Sequence, residues 1–160
     1  QIEHRIVIDV VHDTLLPWAS YLDWEPEPSI VSVANVQHLG TRMEGMLSQP
    51  GPSVIELVRA LSPTPAVGGH PREAALDLIE RVEGFERGRY GGAVGWVDAD
   101  RRAGSLNVAI RTFWFADEEI RFGTGGGITW DSDPDGEWEE TELKARRLLR
   151  VAANHQTGAP

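Results

Sequence analysis

From Tyr90 onward the hydrophobic pattern has a period of two, and this restricts the fold more than any other feature of the chain. Residues 92–97, 106–115 and 119–123 read as strands, divided by turns at 98–104 and 116–117. Upstream, apolar residues recur mainly at helical intervals. Helices mixed with antiparallel hairpins build an α+β fold rather than a parallel doubly wound sheet.

Residues 2–22 read as a helix with Ile6, Val10, Val11 and Leu15 on its apolar face, weakened or kinked near Pro17. Glu3 stands near the positive end of its dipole. After the breaker residues Asp23 to Pro28, residues 29–36 read as a strand and 38–47 as a second, interrupted by Gly40 and Gly45. A turn at Pro50-Gly-Pro leads into a short helix, Val54–Leu61, ended by Ser62 and Pro63. Residues 63–71 are too rich in Pro and Gly for regular structure. Pro71 then opens a helix through Val82, with Ala75, Leu78, Ile79 and Val82 as its apolar face and Gly84 as its stop.

The last helix has the clearest start. Asp133 suits the N-cap, because its carboxylate accepts from free N–H groups, and Pro134 suits the first helical position because it has no N–H to leave unpaired. Trp138, Leu148, Leu149 and Val151 can gather towards a core. Glu137, Glu140, Thr141 and Lys144 fall at i, i+3, i+4 and i+7 on a separate stripe. Spacing alone leaves two readings open: a solvated face matched to the helix dipole, or two carboxylates sharing a divalent cation while Lys144 holds an anion.

Other residues carry similar pairs of readings. The run Gly123-Thr-Gly-Gly-Gly lacks the Gly-Lys-Ser/Thr of a phosphate loop and the spacing of a dinucleotide fingerprint, so it is either a tight connection or a close backbone approach to a ligand. His38 is a general base or a core histidine. Arg111, between apolar residues of an expected strand, should meet a carboxylate, and Tyr90 either orients a ligand or packs.

Composition narrows the class. With 160 residues, 41% of them hydrophobic, the chain can form one core and shows no sign of a second domain. The absence of cysteine fits a reducing cytoplasm, and no apolar run approaches membrane-spanning length. A net charge of −10 with scattered basic residues argues against nucleic-acid binding. The chain opens on Gln1 with an amphipathic pattern under way by Ile6, and reads as part of something longer.

Several segments, in order along the chain, together resemble one family. They are Glu3-His-Arg, Val36-Gln-His-Leu, the loop from Pro63 to Pro71, Gly88-Arg-Tyr-Gly-Gly-Ala-Val-Gly-Trp, Ala109-Ile-Arg-Thr with Gly125-Gly-Gly-Ile, and Ser132-Asp-Pro through Glu137-Trp-Glu-Glu-Thr to Lys144-Ala-Arg. They look like the C-terminal part of the chorismate-utilising enzymes: isochorismate synthase, anthranilate synthase large subunit and aminodeoxychorismate synthase. The resemblance implies a mostly antiparallel sheet with outer helices, of which residues 1–160 would form the C-terminal part and the N-terminal half would lie outside the sequence. It implies that Glu3 and Glu140 ligate Mg²⁺, with Glu137 assisting directly or through water. Tyr90, Arg111, Lys144 and the N–H groups around Gly125 and Gly127 would hold the ring and enolpyruvyl carboxylates of chorismate. His38 would stand near the departing C4 hydroxyl as a nucleophile adds at C2, and Ala66 would border the reacting carbon. The family's water-activating lysine and its general-acid glutamate would precede Glu3.

The resemblance points two ways among family members. Pro65-Ala66-Val67-Gly68-Gly69 looks like the isochorismate formers, where the ammonia users have threonine at the place of Ala66. Ala109-Ile-Arg-Thr112 and Gly126-Gly-Ile-Thr-Trp look more like aminodeoxychorismate synthase, and Arg72 replaces the lysine of the ammonia users. The loop borders the reacting carbon, so the expectation is an isochorismate synthase-type isomerase. The alternatives are an aminating enzyme served by a glutamine amidotransferase subunit, and a non-catalytic remnant of the fold.

Overall fold

A computed structural model describes residues 2–33 and 36–156, and the side chains of residues 3–31, 39–115 and 117–153. Helix α1 (Ile2–Leu15) passes through a 3-10 turn at Leu16–Trp18 into strand β1 (Ala19–Trp24). Residues 19–22, expected to continue the helix, are thus extended. The cause is Pro17, which has no N–H for a helical bond and disfavours helical backbone in the residue before it.

Strands β2 (Ser29–Val33), β3 (Val36–Gly40) and β4 (Met43–Leu47) follow. The second strand expected at 38–47 is therefore two strands that part at Thr41 and Arg42. Residues 34 and 35 of the expected first strand lie outside the described residues. Strand β1 pairs antiparallel with β4, from Ala19 opposite Leu47 to Trp24 opposite Met43, and the β2–β3 hairpin lies between them in sequence. The Glu25 amide donates to the Arg42 carbonyl at 3.0 Å and closes the base of that hairpin.

Helix α2 (Val54–Leu61) has the bounds expected of it. A capping box starts it: Ser53 Oγ accepts from the Glu56 amide at 3.3 Å, and the Glu56 carboxylate accepts from the Ser53 amide at 2.8 Å. The Pro- and Gly-rich segment contains one regular turn, α3 (Pro65–Gly68), which Pro65 favours at its first position. Helix α4 (Arg72–Val82) ends on Glu83 in extended backbone, φ −80° and ψ 118°, so Gly84 is not the left-handed stop expected there. Both α2 and α3 pack against α1.

The later half forms two hairpins, β5 (Ala93–Asp98) with β6 (Ala103–Val108), and β7 (Trp114–Ala116) with β8 (Glu119–Arg121). The single strand expected at 106–115 is interrupted. Ala109 still exchanges bonds with Gly91 and Gly92, but the Ile110 amide turns back to the Val108 carbonyl at 2.8 Å and Arg111 adopts φ +52°. Alternation could not reveal this reversal, because the break is in the backbone. The β7–β8 turn places both Asp117 and Glu118 at positive φ, as a two-residue hairpin requires. Helix α5 (Pro134–Gln156) closes the chain.

The pattern of burial is unusual. Among the described residues Ala109 is the one buried hydrophobic side chain, so the single core expected from composition is not closed within these residues. Trp138, Leu149 and Val151 of α5, expected to face a core, are at least half exposed, and so are Leu78 and Val82 of α4. The accessible surface is 12536 Å², where a compact monomer of 17.6 kDa would expose about 7,900 Å². No helix among the described residues is long and apolar enough to cross a membrane.

Candidate active site

The start of α5 builds one wall of the site. Asp133 caps the helix as expected, its Oδ2 accepting from the Gly136 amide at 2.9 Å, and Pro134 occupies the first position. Just ahead, Ser132 Oγ accepts from the Thr129 amide at 3.1 Å and donates to Glu137 Oε1 at 2.7 Å. The residue before the cap therefore holds one oxygen of a half-buried carboxylate.

The polar stripe of α5 faces the glycine run. A Cβ placed on Gly126 would stand 2.8 Å from Glu137 Oε2 and 3.9 Å from Thr141 Oγ1. One turn further, Lys144 Nζ donates to the Gly125 carbonyl at 3.1 Å and pairs with Glu140 Oε1 at 2.7 Å. The glycines allow this approach because a side chain on Gly126 would collide with Glu137. Glu3, at the start of α1, reaches the same run from another direction, its Oε2 3.7 Å from where a Cβ on Gly127 would lie. Beside it, the His4 ring makes a 2.8 Å hydrogen bond with Thr41 Oγ1 and ties α1 to the β3–β4 connection.

Tyr90 forms the third side. Its ring lies against Gly123, where any Cβ would overlap it, and its hydroxyl is 3.4 Å from the Cβ position of Gly125. Tyr90, Gly125, Gly127, Lys144, Glu137, Glu140 and Glu3 thus come from three separate parts of the chain to one locality.

The remaining expected residues stand differently. Ala66 is on α3, exposed, in the helix that packs on α1. Arg111 is exposed in the bend after β6 rather than in an apolar strand. His38 pairs in register with Val31, and its side chain lies outside the described residues. Two residues with partners at or near the site escaped sequence reading. Ser132 was legible as part of the helix start but not as a partner of Glu137, and Arg87 was signalled only by its i, i+4 spacing from Glu83.

This arrangement places carboxylates, one ammonium and main-chain groups side by side. The Lys144–Glu140 pair is partly solvated and of the i, i+4 kind, a class that contributes only about 0.3–0.5 kcal/mol, so either partner can be given up to a ligand at small cost. The donor set also suits a hard cation. Among the described residues no three His, Asp or Glu side chains already converge as a cage, but Mg²⁺ takes one or two carboxylates and completes its shell with waters and substrate oxygens. Carboxylates such as those of Glu3, Glu137 and Glu140 are of the chemical kind that ion takes.

The family model described as chorismate binding enzyme matches residues 1–153. The isochorismate synthase MenF of Bacillus subtilis is 35% identical over 148 residues, which cover 92% of this chain and 31% of that protein. The solved structure of MenF, the menaquinone-specific isochorismate synthase from Escherichia coli, superposes with a TM-score of 0.81 at 30% identity, over 93% of this chain and 34% of that one. Anthranilate synthase component I from Streptococcus pneumoniae superposes with a TM-score of 0.82 at 26% identity, over 92% of this chain and 34% of that one. The chain spans between 29% and 41% of the length of the curated relatives it matches. With its mixed helices and antiparallel hairpins arranged as in those structures, this α+β chain belongs to the chorismate binding enzyme family.

Proposed function

We propose that this chain is the C-terminal part of a chorismate-binding domain whose complete form is a cytoplasmic, Mg²⁺-dependent isochorismate synthase. The observation that carries the proposal is the meeting of Glu3, the Gly123–Gly127 run and the Glu137–Lys144 stripe, in a chain whose relatives include several isochorismate synthases. Lys144, Tyr90 and the main chain around Gly125 and Gly127 would orient the two substrate carboxylates, with Arg111 as a further cationic group. Glu3 and Glu140, assisted by Glu137, would hold Mg²⁺, which supplies positive charge against the dianionic substrate. His38 would stand beside the C4 hydroxyl that leaves as oxygen adds at C2. Fixed charges placed in advance around the ligand would be the larger part of catalysis.

Ala66 supports isochorismate as the product. A second reading, amination at the same carbon with a glutamine amidotransferase partner, is favoured by the Ala109-Ile-Arg-Thr112 segment and by the likeness to anthranilate synthase component I. Incubation of the full-length protein with chorismate and Mg²⁺, without ammonia, should yield isochorismate. Product that forms only when ammonia or glutamine is supplied would establish the second reading instead.

A further inference from the structure

Arg87 lies outside the cluster described above, yet it touches three elements around it. Its Nε and Nη2 donate to the two oxygens of Glu83 at 2.7 and 2.6 Å, and its Nη1 donates to the Val67 carbonyl at 2.7 Å. The guanidinium carbon also lies 5.9 Å from the centre of the Tyr90 ring, within cation–π range. Both members of the Arg87–Glu83 pair are about three-quarters buried, at 25% and 27% exposure, unlike the surface pairs of α1 and α5. The bond to Val67 spans 20 residues of sequence, so it is not a by-product of helical spacing.

Val67 is itself pressed against the residue after Tyr90. A Cβ on Gly91 would overlap the Val67 side chain, and Gly91 holds φ +75°. The Tyr90 amide in turn donates to the Arg87 carbonyl at 2.9 Å. One side chain therefore links the end of α4, the turn that carries Ala66, and the aromatic ring that packs on Gly123. Glu83 fixes the fork of the guanidinium from the opposite side, and the planar bidentate grip is one that lysine cannot reproduce.

We propose that Arg87 is a positioning residue that sets the Ala66–Val67 turn against Tyr90, and so fixes how substrate lies between that turn and the glycine run. The proposal rests on the chorismate reading above for its catalytic consequence, but its structural half stands apart from it. A plain i, i+4 ion pair would add a little stability and nothing else. A register device instead changes the alignment of reacting atoms, to which turnover is steeply sensitive.

The test uses the full-length protein with Arg87→Lys, Arg87→Ala and Glu83→Gln. Arg87→Lys should lower kcat for chorismate by about tenfold to a hundredfold with a smaller change in KM, while Arg146→Ala on the exposed face of α5 leaves both within twofold. Wild-type kcat and KM in the Arg87 variants, whatever happens to Tm, would overturn the proposal. If Arg87→Ala does not fold, Arg87→Lys and Glu83→Gln carry the same comparison. Hydrogen exchange without ligand gives the second readout: amides of residues 67–69 and 90–92 should exchange faster in Arg87→Lys, and those of α5 should not. Unchanged exchange there would sink the positioning role even if wild-type protein turned over no chorismate, so the two readings fail separately.

Discussion

Around the glycine run, Glu137, Lys144 and Ser132 already have partners at 2.7–3.1 Å within the chain. Across the paired strands the reverse holds: Tyr21, Ile30, Met46 and Trp96 are each more than half exposed although their strands are hydrogen-bonded to a partner. The two regions satisfy different demands. Hydrogen bonds and ion pairs near a helix start are met by a few neighbours, whereas a sheet face is stabilised only when a second layer covers it. Each large apolar side chain left open forgoes about 1.5–3 kcal/mol, so the hairpins need covering surface that the site does not.

The largest effect should come from testing that difference directly. The 160-residue chain alone should bind a hydrophobic dye strongly and unfold without a sharp transition, while the full-length protein does neither. A sharp, dye-silent transition in the isolated chain would break the comparison. Next, Glu140→Gln in the full-length protein should abolish Mg²⁺-dependent turnover by about a hundredfold or more with little loss of fold. Chelation of the metal should have the same effect, reversed when Mg²⁺ is restored. Turnover that survives both treatments would remove Glu140 from the proposed ligand set.

Gly123→Ala comes third. Its Cβ would displace the Tyr90 ring, with an expected cost of about 1–3 kcal/mol in stability, as other overpacking changes show, and a raised KM for chorismate. Unchanged KM would separate Tyr90 from substrate binding. The smallest effect is one of pH. The Glu83 carboxyl lies below its ordinary value because it accepts two N–H groups of Arg87, with partial burial opposing. A depressed folded-state value means that the stabilisation is complete above the ordinary glutamate value of 4.5 and is lost as pH falls through the depressed one. The Tm gap between wild type and Glu83→Gln should accordingly narrow as pH falls below about 4.5, and a gap that widens over that range would contradict the sign.

Where the sequence could be read, the signals were local. Helix α2 matched its expected bounds because Ser53, Glu56, Ser62 and Pro63 act within a few residues of its ends. The start of α5 was legible for the same reason, since Asp133 bonds a group three residues away. Strand β1 was not legible: its partner β4 lies some twenty residues on, and Tyr21 and Leu22 happen to continue the helical spacing of α1 past Pro17. Arg111 was misplaced because residues 106–115 read as one apolar-rich strand while the backbone turns back after Val108.

The candidate site divides along the same line. Composition and spacing by themselves determined that Glu137, Glu140, Thr141 and Lys144 share one helix face, because 3.6 residues per turn is a property of the backbone. Only the tertiary structure decided what that face meets. The approach of Gly126 to Glu137, of Gly125 to Lys144 and of Gly127 to Glu3 brings together residues from both ends of the chain, and no local rule carries information over that distance. Packing does, because only the folded chain specifies which backbone has room for which side chain.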